Sequence, residues 1–263
     1  MLDDYSGATR LFPLIGDPIA FVKSVHRLTQ GFEGRSFDGI CVPMQVPLGQ
    51  LHTVMKALSA MPNVDGILVT MPHKFDAFRH CATSSRRARL LGVVSLMRRN
   101  ADGGWHGEML DGLAFVKAQR DQGARHQGAR ALLVGAGGAG SAVAQALLEA
   151  GVAELVINDT DPARVARLID LLHDPGGRVR FGPADPTGCD IVANATPLGL
   201  AADDPLPVPA ELLTNSMFVG DVIAGHGETP LLAAARAAGA GTSDGVQMVE
   251  AAQELMLDFF TRG

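Results

Sequence analysis

The sequence predicts an α/β protein of two domains, from its length, its apolar content and the alternation of strands and helices in both halves. Its 263 residues give close to two domains at roughly 150 residues each. A hydrophobic share of 47% and a charged share of 19% supply a core and exclude an intrinsically disordered chain.

In the first half, short apolar runs alternate with stretches of helical period. LFPLIG (11–16) and GILVT (66–70) are predicted strands, and a periodic helix is predicted around residues 48–60 between them. MPHK (71–74) is predicted to be a turn, and NADGGWHG (100–107) is rich in turn residues. A helix is then predicted over residues 110–122.

The second half begins after a polar linker, GARHQGAR (123–130), and reads as a strand–helix–strand unit. ARALLVG (129–135) and ELVIND (154–159) are the strands, and the alanine-rich helix 141–150 connects them. Further elements are predicted at the following positions: a helix over 163–172, strands at 190–196 and 217–223, and helices over 231–239 and 247–260.

A glycine loop joins the first strand and helix of this unit. Gly135, Gly137 and Gly140 form the pattern GxGxxG, and Gly138 adds a fourth glycine. The first glycine permits a tight turn, the second lets backbone approach a pyrophosphate and the last allows close helix packing. The loop and the first turn of the helix therefore predict a dinucleotide site with amide groups facing phosphates.

Asp159 ends the next predicted strand, where a carboxylate can accept a hydrogen bond from a ribose hydroxyl. Because a carboxylate there would repel the 2′-phosphate of NADP, we expect NAD to be the cofactor and NADP to be disfavoured. Arg164 and Arg167 follow and could meet a phosphate, although helical arginines are more often solvated. A methyltransferase that uses S-adenosylmethionine can carry a similar loop and acid, so this site alone leaves the chemistry open.

Composition argues against several other classes of function. A net charge of −6 without a long basic run predicts no nucleic-acid partner. The uncharged run 131–148 contains a cluster of glycines, so we expect no membrane span. Three dispersed cysteines and histidines outside metal-ligand spacing predict no disulfide framework and no metal. An N-terminus without a basic and apolar signal completes the expectation of a cytoplasmic protein.

Seven segments together resemble the shikimate and quinate dehydrogenase family. In chain order they are IGDPIAFVKS (15–24), GILVTMPHK (66–74), LGVVSL (91–96), GEMLDGLAF (107–115), LLVGAGGAGSA (132–142), NATPLGL (194–200) and the pair ETPLL and DGVQM (228–248). The resemblance implies an N-terminal α/β substrate domain (1–109) and a doubly wound, Rossmann-type nucleotide domain (110–238). C-terminal helices (239–263) would return to the first domain, and the active site would lie in the cleft between the domains.

The resemblance also implies roles for individual residues. The catalytic pair of the family corresponds to Lys74 and Asp111. Oxidation of a secondary alcohol needs a group that takes the hydroxyl proton while hydride leaves for the nicotinamide, and either residue could be that base. The remaining positions implied by the resemblance are Ser24, Thr70, Ser95 and Gln253 for the substrate, and Asn194, Thr196 and Leu198 near the nicotinamide.

Several polar positions of the family carry other residues here. They are Val22 for the first of two serines, Leu68, Ser95-Leu96 and Met109-Leu110 for asparagines and threonines, Ala224 for a tyrosine and Ala252 for a glutamine, with Gln253 one place later. Each lost hydrogen bond removes roughly 1 to 3 kcal/mol of recognition. We therefore expect the substrate to be a cyclic hydroxy acid such as shikimate, quinate or a less hydroxylated relative, and the lost polar residues favour the last of these. The protein is expected to be a monomer or a homodimer. The alternative is an NAD-binding regulatory protein of the same fold without turnover.

Overall fold

The computed structural model describes residues 5–20, 22, 24–174, 176–201, 203–224 and 227–261. The chain divides into two compact units, one formed by Met1–Leu110 with Gln253–Gly263 and the other by Asp111–Ala252. Within the described residues, no helix is long and apolar enough to cross a membrane.

The first unit contains a six-stranded mixed sheet in the order β2-β1-β3-β5-β6-β4. Its strands are β1 (Arg10–Gly16), β2 (Gly39–Gln45), β3 (Gly66–Val69), β4 (Thr83–Ser84), β5 (Leu96–Arg99) and β6 (Trp105–Glu108). Its helices are α1 (Ser24–Gly34), α2 (Leu51–Ser59), α3 (Lys74–Phe78) and α4 (Arg86–Leu91). β1, β2 and β3 are parallel, so their carboxyl ends meet at one edge of the sheet.

An aromatic cluster closes the core of this unit. Phe12 of β1 is fully buried, and its ring centroid lies 4.4 Å from that of Phe32 on α1 and 4.9 Å from that of Phe260 near the C-terminus. Gly31 of α1 lets the chain come close to Leu257, because a Cβ at Gly31 would overlap the Leu257 side chain. The C-terminal segment therefore belongs to the core of the first unit.

The second unit is a doubly wound parallel sheet in the order β12-β11-β10-β7-β8-β9. Its strands are β7 (Arg130–Val134), β8 (Glu154–Asn158), β9 (Val179–Phe181), β10 (Ile191–Asn194), β11 (Phe218–Asp221) and β12 (Gly241–Ser243). Its helices are α5 (Asp111–Asp121), α6 (Gly138–Glu149), α7 (Pro162–Leu172) and α8 (Pro230–Ala237), and α9 (Gly245–Thr261) begins in it. Helix α5 packs against α6 and β11. The predicted fold class, a mixed α/β domain followed by a Rossmann-type domain, is confirmed.

Three local differences from the sequence predictions have a physical cause. Residues 105–108 form β6, which pairs antiparallel with β5 across a turn where Gly103 has a φ of 84°. β9 and β12 are edge strands of three residues each, too short to show a period. Because β12 pairs with β11, the second unit continues to Ala252, whereas we expected the C-terminal segment to begin at residue 239.

Candidate active site

The glycine loop forms a cradle between β7 and α6. Gly135 has a φ of 102°, a conformation that side chains disfavour, and a Cβ there would lie 2.8 Å from the carbonyl of Ala195. A Cβ at Gly140 would overlap the carbonyl oxygen of Gly135, so this glycine permits the helix to pack on the loop. At Gly137 and Gly138 a Cβ would meet nothing within 4 Å, which leaves open space beside the helix N-terminus.

This geometry fits the pyrophosphate of a dinucleotide. Gly137 is the N-cap of α6, and the first N–H groups of a helix have no partner within it. These amides and the helix dipole favour an anion at this end. The loop borders a cleft of about 530 Å³, whose further lining residues include Asn158, Asp159, Arg164, Thr196, Leu198 and Pro207.

Asp159 is directed into its own loop rather than outward. One carboxylate oxygen accepts the N–H of Ala136 at 2.7 Å and the other accepts the N–H of Asp161 at 2.9 Å. Although burial raises the pKa of Asp159, these backbone bonds and Arg164 hold it below its ordinary value. Arg164 lies 3.5 Å from the carboxylate, and its side chain is 48% exposed. A partly exposed guanidinium therefore lies beside the Asp159 carboxylate, on the lining of the cleft.

Asn194, Thr196 and Leu198 are brought together at the end of β10. Asn194 is fully buried, and its side-chain oxygen accepts the N–H of Thr196 at 3.0 Å and the Thr196 hydroxyl at 2.7 Å. Its amide nitrogen donates to the carbonyl of Leu198 at 3.3 Å. Thr196 and Leu198 line the cleft, whereas Asn194 shapes the loop from beneath it.

In the first unit, Thr70 lies where the parallel strands end. It follows β3 directly, and its N–H donates to the carbonyl of Ile15 on β1 at 2.9 Å. Gly16 ends β1 beside it, and a Cβ there would overlap the Thr70 side-chain methyl. The sequence requires glycine at residue 16 so that β1 can approach the loop that carries Thr70 and Lys74.

Lys74 is the first residue of α3 and is partly exposed. His73 precedes it, is buried, and places its Nε2 2.7 Å from the carbonyl oxygen of Val46, just after β2. The backbone carbonyl of Lys74 accepts the N–H of Val94 at 3.1 Å. These two contacts hold the start of α3 against two neighbouring segments. His73 is one of the histidines outside metal-ligand spacing, and its position directly before Lys74 was the signal that could have marked it.

The other predicted substrate residues have partners of their own. Ser95 is buried, and its hydroxyl accepts the N–H of Leu110 at 3.0 Å. Gln253 donates from Nε2 to the carbonyl of Arg27 at 2.8 Å, so it ties the C-terminal segment to α1. Ser24 is the first residue of α1 and is partly buried.

Asp111 is the first residue of α5 and belongs to the second unit. A carboxylate in the first turn of a helix interacts favourably with the helix dipole. In the first unit, the segment that leads towards Asp111 is held by Glu108, a residue that sequence analysis did not single out. The Oε1 atom of Glu108 accepts from the Ser85 hydroxyl at 2.5 Å, from Arg87 at 3.1 Å and from the N–H of Met109 at 2.8 Å.

Fold and cradle together define a dinucleotide-binding α/β protein with a separate mixed α/β unit, and comparison with known proteins gives its family. A family model described as the shikimate dehydrogenase substrate binding domain matches residues 14–97. The shikimate dehydrogenase (NADP(+)) of Rubrobacter xylanophilus is 38% identical, over 92% of this chain and 87% of the relative. That of Stenotrophomonas maltophilia is 35% identical, over 95% of this chain and 91% of the relative.

A solved structure extends the likeness to three dimensions. The shikimate 5-dehydrogenase of Thermus thermophilus, in complex with NADP(H) and shikimate, superposes with a TM-score of 0.85 at 27% identity, over 97% of this chain and 94% of that one. This chain belongs to the shikimate dehydrogenase family and is an NAD(P)-dependent dehydrogenase that acts on a CH–OH group. The family resemblance inferred from the seven segments is confirmed.

The expected preference for NAD is wrong. Both curated relatives described above are named as NADP(+) enzymes, and a further structural neighbour holds NADP+. The inference assumed that the Asp159 carboxylate faces the ribose, but its oxygens are occupied by the N–H groups of Ala136 and Asp161. Arg164 is an exposed cation beside Asp159, and the sign of its charge suits a phosphate.

Proposed function

We propose that this chain catalyses the reversible, NADP-dependent oxidation of a secondary alcohol on a cyclic hydroxy acid of the shikimate and quinate type. The observation that carries the proposal is the glycine cradle of Gly135 to Gly140, which opens onto a cleft of about 530 Å³. It is joined to a unit whose residues 14–97 match the substrate binding domain of shikimate dehydrogenases.

When bound, NADP supplies the hydride acceptor for the alcohol carbon. Gly137 and Gly138 would receive the pyrophosphate at the N-terminus of α6, where helix amides face the anion. Arg164 would pair with the 2′-phosphate, because it is the exposed cation beside Asp159. Thr196 and Leu198 would border the nicotinamide end of the cleft.

Lys74 and Asp111 are proposed as the catalytic pair. As hydride leaves the carbinol carbon, carbonyl character develops and the hydroxyl proton must move to a base. A neutral lysine amine can take that proton, and a carboxylate can orient the amine or share the proton with it. The contacts of His73 and of the Lys74 carbonyl fix the backbone from which the amine projects.

We propose that this chain forms fewer hydrogen bonds to its substrate than a pocket with all of the family's polar residues would form. Thr70 and Ser24 retain hydroxyls at the end of the parallel strands and at the start of α1. The side chains of Ser95 and Gln253 instead hydrogen-bond to the backbone of Leu110 and Arg27. We therefore propose that the best substrate carries fewer ring hydroxyls than shikimate, since unpaired buried polar groups are what reject such analogues.

Steady-state reduction of NADP+ by purified protein tests these proposals. The substrates are shikimate, quinate and analogues of shikimate that lack single ring hydroxyls, each measured with NADP+ and with NAD+. We expect turnover with NADP+ and a higher kcat/KM for at least one deoxy analogue than for shikimate. The highest kcat/KM on shikimate itself would refute the substrate proposal and leave the reaction class intact.

A matched pair of lysine variants tests the catalytic assignment. Lys74→Ala should lower kcat by about 100-fold or more while NADPH still binds, because proton transfer contributes on this scale. Lys56→Ala, on an exposed position of α2, is the control and should leave kcat unchanged. Equal turnover by the two variants would remove Lys74 from the mechanism.

A further inference from the structure

Three buried polar residues form one hydrogen-bonded network beneath the cofactor cleft. Asn194 ends β10, Asp221 ends the neighbouring β11, and the two are paired in the register of the parallel strands. Thr229 is the N-cap of α8. Their exposures are 0%, 1% and 2%. The Asn194 amide donates to Asp221 at 3.1 Å, and the Thr229 hydroxyl donates to the other Asp221 oxygen at 2.8 Å.

The network holds the loop that follows β10. Asn194 binds both polar atoms of Thr196 and the carbonyl of Leu198. The Thr196 hydroxyl also accepts the N–H of Leu198 at 3.1 Å. Since Thr196 and Leu198 line the cleft, the position of this wall depends on Asn194.

The same carboxylate holds the chain that follows β11. The Asp221 oxygen that receives the Asn194 amide also accepts the N–H of Ile223 at 3.1 Å. Through Thr229, the second oxygen reaches the start of α8, where the Thr229 hydroxyl accepts the N–H of Leu232. One buried carboxylate therefore joins two strand ends and a helix N-terminus.

Burying the Asp221 carboxylate to join these loops carries a desolvation cost. Removing a charged group from water costs free energy that only well-placed partners recover. Within the described part of the chain, Asp221 is hydrogen-bonded by an amide, a hydroxyl and a backbone N–H, and none of these donors is a cation. The buried carboxylate fixes several hydrogen-bond donors in one rigid arrangement. This arrangement lies directly behind the cleft wall.

We propose that Asp221 is a positioning residue for the dinucleotide: through Asn194 and Thr229 it sets the shape of the cleft wall and thereby the affinity for NADP. This inference rests on the proposed function. It assigns no contact between Asp221 and the cofactor, and it predicts that the network acts on cofactor binding rather than on the hydroxy acid.

Thr229 provides the cleanest test, because its hydroxyl can be removed without changing its shape. Thr229→Val deletes the bond to Asp221 together with the bond from the Leu232 N–H, and Thr229→Ser retains both. Thr214→Val is the control. It removes a hydroxyl that is hydrogen-bonded to Ser216 in an exposed turn before β11. The measurements are the Kd of NADPH, KM for NADP+, KM for the hydroxy acid, and the Tm of the protein without cofactor.

We expect Thr229→Val to raise the Kd of NADPH about tenfold, because an oxygen of the buried carboxylate loses its donor. KM for NADP+ should rise with it, and KM for the hydroxy acid should stay within about twofold. Thr229→Ser should restore most of the affinity, and Thr214→Val should match the wild type. A lower Tm with unchanged NADPH affinity in Thr229→Val would show a structural role only and overturn the inference.

Hydrogen exchange on the wild type tests the same coupling without a variant. NADPH should increase the protection of the Thr196, Leu198 and Ile223 amides together, since one carboxylate joins both loops. Protection confined to Thr196 and Leu198 would contradict the coupling. A wild type that binds neither NADPH nor NADP+ would instead overturn the proposed function, which keeps the two failures distinguishable.

Discussion

Acidification should destabilise the second unit through His126. This residue lies in the polar stretch between α5 and β7, is 2% exposed, and places Nε2 2.7 Å from the side-chain oxygen of the fully buried Gln119. Burial, with a smaller contribution from Arg120, lowers the pKa of His126 from 6.5 to about 4. Among the described residues, its Nδ1 has no hydrogen-bond partner, so protonation would create an uncompensated buried charge.

The sign and size of this change in stability with pH follow from proton linkage. In the unfolded chain, His126 binds a proton as the pH falls below about 6.5, its ordinary pKa. In the folded chain, it binds a proton only as the pH falls below about 4. Stability is therefore complete above the unfolded pKa and is lost as pH falls through this window. Between about pH 7 and about pH 5, linkage gives a loss of roughly 2 kcal/mol in the free energy of unfolding from this one group.

The assay is urea unfolding of the wild type and of His126→Gln at both pH values, followed by far-UV circular dichroism. Trp105, the only tryptophan, lies in the first unit and reports that unit separately by fluorescence. Other titrating groups are common to both proteins, so the difference between their pH responses isolates His126. If the variant and the wild type lose the same stability on acidification, the proposed burial of a neutral imidazole is refuted.

Three further predictions concern the cradle, the phosphate site and the core. Gly140→Ala should lower Tm, measured by calorimetry, because its Cβ would overlap the Gly135 carbonyl. Gly137→Ala should keep Tm and weaken NADPH binding, measured by ligand titration, because its Cβ would enter open space. Arg164→Gln should raise KM for NADP+ about tenfold and spare NAD+, with the more exposed Arg167→Gln as control. Phe12→Ala should cost about 3 to 5 kcal/mol by urea unfolding, and a loss below about 1 kcal/mol would contradict its central place in the core.

The strand–helix–strand unit around Gly135 was predictable because its signals are local. A short apolar strand, a glycine loop and an alanine-rich helix follow one another within the chain, and each residue's preference agrees with its neighbours. The edge strands β9 and β12 were not predictable, because three residues carry no period and pairing alone makes them strands.

The roles of polar side chains were less accessible from the sequence. Asp159 stood at the expected position, yet its oxygens bind the N–H groups of Ala136 and Asp161, so the inference about the cofactor failed. Asn194 was predicted to lie near the nicotinamide, and the sequence did not indicate that its side chain is buried beneath its loop and bonded to Leu198. Asp221 showed no sequence signal at all.

The sequence by itself determined the α/β class, the dinucleotide cradle and membership of the family, because these depend on residue types at short, fixed spacings. Only the tertiary structure decided which partners each polar group meets. Asn194 and Asp221 are 27 positions apart and become neighbours through strand pairing, while Gln253 reaches Arg27 across 226 positions. A hydrogen bond requires its two atoms to lie within about 3.5 Å of each other, and such distances between remote residues are set by packing of the whole unit.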